Sequence, residues 1–264
     1  MKIRHFFLRA LYNFPRFKGR DRVIGMISRS FRADPTNIGG LYMDLDAGEW
    51  LQLEVLVSGG TEPLTTSLID QLVKEGDTVI DIGAHVGHHS LIAARSTGPE
   101  GHVYAFDPQP YNCDRIARNA SYNNFSQVSV ICAAGGDFDG FINIPLQSES
   151  DRARLSLALD GPNDQNIYME TNVRRLDTFI SDKKLKKIKL LKIDVEGFEL
   201  EVLQGLGKEI QRVENIIFEM LDDSDKEKNR QIIEILENSG FVLKDVRGGK
   251  FRSGDELSER NVWG

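Results

Sequence analysis

The run Thr78-Val79-Ile80-Asp81-Ile82-Gly83-Ala84-His85-Val86-Gly87-His88-His89-Ser90 sets an acid inside a β-branched stretch and follows it with two glycines and three histidines. Two chemistries suit these residue types. Imidazoles can ligate a metal, and a glycine turn between a strand and a helix can bring backbone amides against a ligand. Zinc sites usually recruit a distant further ligand at a recognisable spacing, and His5 and His102 supply none, so the histidines are read as pocket residues with no metal. His85 and His88 are expected to line the pocket, and His89 to pack or face solvent.

The glycine spacing decides the ligand class. A dinucleotide turn reads G-x-G-x-x-G, whereas this one is Asp81-x-Gly83-x-x-x-Gly87. A carboxylate at Asp81 would repel a pyrophosphate and attract a cation. The common nucleoside cofactor that is cationic and carries no phosphate is S-adenosylmethionine. A second acid fits the same ligand: Asp107 ends Val103-Tyr104-Ala105-Phe106, and a carboxylate at a second strand tip can accept ribose hydroxyls. Pro108 and Pro110 then stiffen the loop and start the next helix.

A second cluster, Leu190-Leu191-Lys192-Ile193-Asp194-Val195-Glu196-Gly197-Phe198-Glu199, ends another apolar run in three acids. Ionised carboxylates are costly to bury unless they are paired or serve a ligand, so Asp194 and Glu196 are read as functional. Glu199 is read as a helix-start acid favoured by the helix dipole. If the acceptor of the donor's methyl group is a hydroxyl, that hydroxyl must lose a proton. Asp194 is the candidate base and His88 the second, with Glu196 and Glu219 shaping the acceptor pocket.

These clusters need elements to hold them. Val79–Ile82, Val103–Phe106, Val128–Ala133, Ile188–Ile193, Ile216–Phe218 and Phe241–Val246 read as buried strands; helical windows lie near Ser90–Ser96, Tyr111–Ala120, Phe198–Gln211 and Asp225–Ser239. The alternation predicts an α/β fold with a mostly parallel, doubly wound sheet, and both acid clusters fall at its carboxyl edge. Leu41–Leu45 and Trp50–Val57 alternate around Asp46–Glu49 and predict a β-hairpin. Residues 137–185 break the rhythm and are expected to form an inserted hairpin or lid. The expected organisation is a basic amphipathic arm at 1–35 and one catalytic domain at 36–264, with the hairpin extension at 36–60.

The chain resembles the FkbM-type methyltransferases, a branch of the S-adenosylmethionine-dependent Rossmann-like (class I) enzymes. The resemblance rests on Thr61-Glu62-Pro63, Val79–Gly87, Ala105-Phe106-Asp107-Pro108-Gln109-Pro110, Leu176-Asp177 and Lys192–Glu199. It implies a seven-stranded sheet with an antiparallel last strand, and methyl transfer to a hydroxyl of a sugar, polysaccharide or polyketide-like acceptor. Gly83 and Gly87 would flank the methionine part of the donor and Asp107 would hold its ribose. The candidate donor-site set is Glu62, Asp81, Gly83, Ala84, His85, Gly87, Ser90, Asp107, Pro108 and Asp194. His85 stands where the family usually has Asn, and His88 where an aromatic is frequent. Residues 1–35 lie outside the resemblance.

Composition adds limits. With 40% hydrophobic and 28% charged residues the chain reads as globular, and no apolar run suits a membrane span. A cytoplasmic setting is expected, and Cys113 and Cys132 are read as reduced, buried hydrophobes. Residues 1–32 carry nine Lys or Arg and a single acid, Asp21. That arm could rest on anionic lipid, meet a second subunit or pack on its own domain, and nothing singles out nucleic acid. The apolar hairpin around Trp50 is a candidate dimer contact. Two other functions fit a nucleoside pocket: a non-catalytic adenosine-binding module and a nicotinamide-dependent oxidoreductase.

Overall fold

A computed structural model describes residues 35–47, 49–146, 167–220, 226–251 and 261–264. The basic arm, except residue 35, lies outside the described residues, as do the Leu155–Leu159 and Gly161–Asn166 segments.

The chain opens with β1 (Thr36–Ile38), β2 (Leu41–Met43), α1 (Trp50–Ser58) and α2 (Pro63–Leu72). The strand–helix alternation then runs β3 (Thr78–Ile82), α3 (His88–Thr97), β4 (His102–Phe106), α4 (Pro110–Tyr122) and β5 (Val128–Ile131). A side sheet follows, with β6 (Ala134–Gly136), β7 (Gly140–Leu146) and β8 (Ile167–Arg175), and leads into α5 (Leu176–Asp182). The last part comprises β9 (Leu190–Ile193), α6 (Glu199–Leu206), a 3-10 turn (Gly207–Arg212), β10 (Ile216–Glu219), α7 (Lys226–Asn238), β11 (Lys244–Asp245) and β12 (Asn261–Trp263).

Seven strands form the main sheet in the order β11-β12-β10-β9-β3-β4-β5. Those from β10 to β5 are parallel, and β12 runs antiparallel to both of its neighbours. The antiparallel last strand is therefore present. Both sheet faces are covered, which explains the near-continuous apolar runs. Ile80, Ile82, Phe106, Ile193 and Phe218 pack with Phe179, Leu203 and Leu236 from α5, α6 and α7. Val79, Val103, Leu190 and Ile217 point the other way, towards Leu68, Ile69 and Leu91 of α2 and α3.

Three sequence expectations need correction. Trp50–Val57 is helix, not strand. The Glu49 side chain accepts the Leu51 N–H at 3.2 Å, and Gly59, at φ +88°, closes the far end with its N–H on the Val55 carbonyl. These caps and the burial of Leu53, Val55 and Val57 favour a helix, and period-two apolar spacing reports neither. The hairpin lies earlier, at β1 and β2, where Gly39 and Gly40 turn the chain at positive φ. In the second correction, Phe241–Val246 contracts to a two-residue strand, and Asn261–Trp263 supplies the missing neighbour of β10. The third concerns Cys113 and Cys132, which are paired as a disulfide with Cα atoms 5.8 Å apart. The fold lays the start of α4 beside the end of β5, a proximity that the spacing of the two cysteines does not reveal.

Polar side chains fasten the N-terminal elements to α4. Asn123 both donates to and accepts from the Tyr42 backbone, and Asn119 Oδ1 accepts the Asp44 N–H at 2.7 Å. Arg115 lies 3.0 Å from Asp44, and the Tyr111 hydroxyl reaches Asp46 at 3.1 Å. In the 137–185 interval β7 and β8 pair antiparallel, and Thr171 Oγ1 donates to the Pro108 carbonyl at 2.9 Å. Among the described residues no helix is long and apolar enough to cross a membrane.

Phe218 is fully buried between the sheet and its covering helices. Phe218→Ala is expected to cost about 3–5 kcal/mol, read by urea denaturation at unchanged m-value.

Candidate active site

Asp81 and Lys192 are neighbours in the β3–β9 register. Each stands two residues beyond an apolar partner, Val79 and Leu190, and so shares the face covered by α3. Both are about 2% exposed. The Lys192 ammonium lies 2.7 Å from Asp194 Oδ2 at the end of β9. Burial alone would lower its pKa, yet the charges of Asp194, Asp81 and Glu62 hold it above the usual lysine value. Asp81 is pushed upward by burial, against the opposing pull of Lys192 and of Ser90, whose hydroxyl donates to Oδ2 at 2.5 Å. Asp81 Oδ1 is buried and has no hydrogen-bond partner among the described residues.

The glycine turn brings the second acid in. Gly83 sits at φ +85°, and a Cβ there would lie 1.7 Å from the Asp194 carbonyl oxygen, so only glycine fits. Gly87 caps α3 at φ +89°. Asp107 is 4% exposed and takes three N–H donors: the His85 backbone (2.9 Å) on Oδ2, and the Gln109 backbone (2.9 Å) and Asn112 side chain (3.0 Å) on Oδ1. Burial raises its pKa to about 6 despite these donors. His85 Nε2 lies 3.4 Å from Glu49 Oε2. Burial would lower the His85 pKa, but Glu49, with Asp107 and Asp194, holds it above the ordinary histidine value.

His88 and His89 are both buried and both line the cleft; His89 packs, its ring 5.2 Å from that of His88, and it also forms part of the wall, which the sequence did not lead us to expect. Burial, with Lys192 and Arg95 nearby, brings His88 down to about 4, and burial holds His89 well below its usual value. Both are neutral near pH 7. Among the described residues no group of three or more His, Cys, Asp or Glu side chains could hold a metal ion.

At the other wall, Asp194 and Glu219 share a side-chain hydrogen bond. Burial and the charges of Asp194, Glu196 and Glu199 raise Glu219 to about 9, so this pair keeps one proton at neutral pH. Lys192 outweighs the burial of Asp194 and keeps it the anionic member. Glu196, at φ +53°, is exposed at the cleft mouth. Glu199 is fully buried and accepts the Val195 and Gly197 N–H groups, the structural role expected of it. Asp177 pairs with Arg175 at the start of α5 and takes no part in the cleft.

One cleft thus gathers Glu62, Asp81, Gly83, Ala84, His85, Asp107, Pro108 and Asp194 from the donor-site set, and His88, Glu196 and Glu219 from the acceptor set. It encloses about 1120 Å³, part of it open to solvent. Gly87 and Ser90 do not line it and act from behind, as cap and as donor to Asp81. Sequence reasoning missed Glu49, Leu51, Val55, Gln109 and Asn112. Asn112, five residues after Asp107 in the first turn of α4, could have been found from the helix start at Pro110. Gln109, two residues after Asp107, follows from the same helix start, whereas Glu49, Leu51 and Val55 depend on how α1 docks. Among the described residues six acids, Glu219 of them protonated, and one lysine face it, so the cleft favours a cationic ligand.

The Methyltransferase FkbM domain matches residues 81–243. The chain belongs to the FkbM methyltransferase family. Among similar curated proteins, Methyltransferase 1 of Beauveria bassiana is 28% identical over 182 residues, 62% of this chain and 72% of that protein. The hexuronic acid methyltransferase AglP of Haloferax volcanii is 24% identical, covering 61% of this chain and 62% of AglP. The 31-O-demethyl-FK506 methyltransferase FkbM of Streptomyces tacrolimicus is 26% identical, covering 65% and 75%. This FkbM-family chain is a methyltransferase, which decides against the oxidoreductase and the non-catalytic module.

The raised Glu219 pKa has a stability consequence. Between the ordinary value of 4.5 and about 9 the folded protein holds a proton that the unfolded chain has released. The stability this gives is complete below pH 4.5 and is lost as pH rises through about 9. Melting temperatures measured across that range should fall less in Glu219→Gln than in the parent protein.

Proposed function

We propose that the cleft binds S-adenosylmethionine and that the enzyme methylates a hydroxyl of a sugar, polysaccharide or polyketide-like acceptor. The observation that carries the donor assignment is Asp81 Oδ1, a buried carboxylate oxygen on the cleft wall that has no hydrogen-bond partner among the described residues. A cationic amino group supplies the donor that the fold withholds, and a phosphate would be repelled. Asp107, already steadied by three N–H groups, has acceptor capacity left for ribose hydroxyls. The AglP and FkbM relatives, named for a hexuronic acid and for a 31-O-demethyl compound, support an oxygen acceptor.

When bound, the donor supplies a methyl group on a positively charged sulfur. The chain's own residues align the partners and manage one proton. Asp194 lines the cleft, its side chain is 27% exposed, and Lys192 keeps it anionic, so it can take the acceptor's hydroxyl proton as the new oxygen–carbon bond forms. Glu219, the protonated member of the pair, fixes the Asp194 carboxylate by its hydrogen bond. His88 is the second candidate base; it is neutral at pH 7, and it ranks behind Asp194 by access, since its ring is buried where the Asp194 side chain is 27% exposed to the cleft. Glu196 borders the open mouth where the acceptor must enter.

Asp194→Asn should lower turnover at saturating S-adenosylmethionine by about 10²–10⁴-fold, with any loss of donor affinity read separately by titration with S-adenosylhomocysteine. The assay is transfer of labelled methyl from S-adenosylmethionine to the hydroxyl-rich fraction of a cell extract. Near-native turnover in Asp194→Asn would move the base elsewhere, with His88→Phe as the next variant to assay.

A further inference from the structure

His85 is held at φ +52°, a left-handed conformation that costs energy in any residue with a Cβ. Such strain persists only where the surroundings impose it, and both ends of His85 are pinned. Its backbone N–H donates to Asp107 Oδ2 at 2.9 Å, and its ring Nε2 lies 3.4 Å from Glu49 Oε2. Glu49 is itself fixed: it is 7% exposed, and its other oxygen accepts the Leu51 N–H at the start of α1. Glu49 lies outside the 81–243 span that matches the family domain, yet α1 behind it puts Leu51 and Val55 on the cleft wall.

We infer that Glu49 is a positioning residue for the donor's nucleoside, acting through His85 to hold the Gly83–Gly87 turn in register with Asp107. Without Glu49 the strained turn relaxes, Asp107 loses the amide that steadies Oδ2, and the carboxylate no longer presents a fixed acceptor to a ribose. The segment 49–62, which also supplies Thr61 and Glu62 to the cleft, is then part of the donor site. The inference rests on reading the cleft as an S-adenosylmethionine site.

The test is calorimetric titration of the full chain with S-adenosylhomocysteine. Glu49→Ala should weaken binding about tenfold, the cost of one strained backbone position left unsupported. His85→Gly alone gives the baseline for loss of the imidazole, and in that background Glu49→Ala should cost little further affinity, because glycine adopts φ +52° without strain. A capping role for Glu49 in α1 alone would lower the melting temperature and would not be rescued at position 85. Should Glu49→Ala fold poorly, Glu49→Gln with and without His85→Gly gives the same comparison. Wild-type affinity in Glu49→Ala, or a tenfold loss from Glu49→Ala that persists in the His85→Gly background, overturns the inference. A parent protein that binds no S-adenosylhomocysteine instead overturns the donor assignment on which it rests.

Discussion

Lys192 is the charge on which the cleft depends. Its ammonium is almost fully buried on the sheet face beneath α3, with Asp81 beside it in register and Asp194 at 2.7 Å. Two carboxylates this close to each other in a dry site could not both stay ionised without it. Removing one member of a buried ion pair commonly costs about 3–5 kcal/mol because it strands the other charge. The lysine therefore lets the fold keep Asp194 ionised at the end of β9 and opposes the rise that burial imposes on Asp81. It also leaves the cleft short of positive charge, since Glu62, Asp81, Asp107 and Asp194 together outnumber it.

That imbalance links electrostatics to chemistry. A ligand that brings its own positive charge would complete the set, and among the described residues Asp81 Oδ1 is buried without a hydrogen-bond partner. The Asp194–Glu219 pair shows how environment separates like groups. One carboxyl is held ionised by Lys192, while the other is raised to about 9 by burial and by its acidic neighbours. Two side chains of the same chemistry thereby take different protonation states at neutral pH. Rigid strand ends hold these groups on the sheet side, and α1, with the turn that follows it, closes the other side.

Much of this was legible in the sequence, for identifiable reasons. The strands carrying Asp81, Asp107, Asp194 and Glu219 are buried on both faces, so their apolar runs stand out and the acids that end them are conspicuous. The glycine turn was readable because Gly83 faces the Asp194 carbonyl with no room for a side chain. What was not legible depends on distance. Trp50–Ser58 has an apolar spacing that suits strand or helix, and its caps at Glu49 and Gly59 decided for helix. Asn261–Trp263 is too short to show a period, and the Cys113–Cys132 pairing follows from how α4 lies beside β5. Glu49 meets His85 only because Asn119, Asn123 and Arg115 dock the N-terminal elements on α4. The proton on Glu219 reflects the charges of Asp194, Glu196 and Glu199, a sum that no local motif encodes.

The central claim is that the excess of acids gathered around Lys192 selects a cationic, phosphate-free nucleoside. Parallel calorimetric titrations of the protein with S-adenosylmethionine and with nicotinamide adenine dinucleotide test it most directly. The account predicts saturable binding of the sulfonium nucleoside and no measurable heat from the dinucleotide. Binding of the dinucleotide at equal or higher affinity would contradict it.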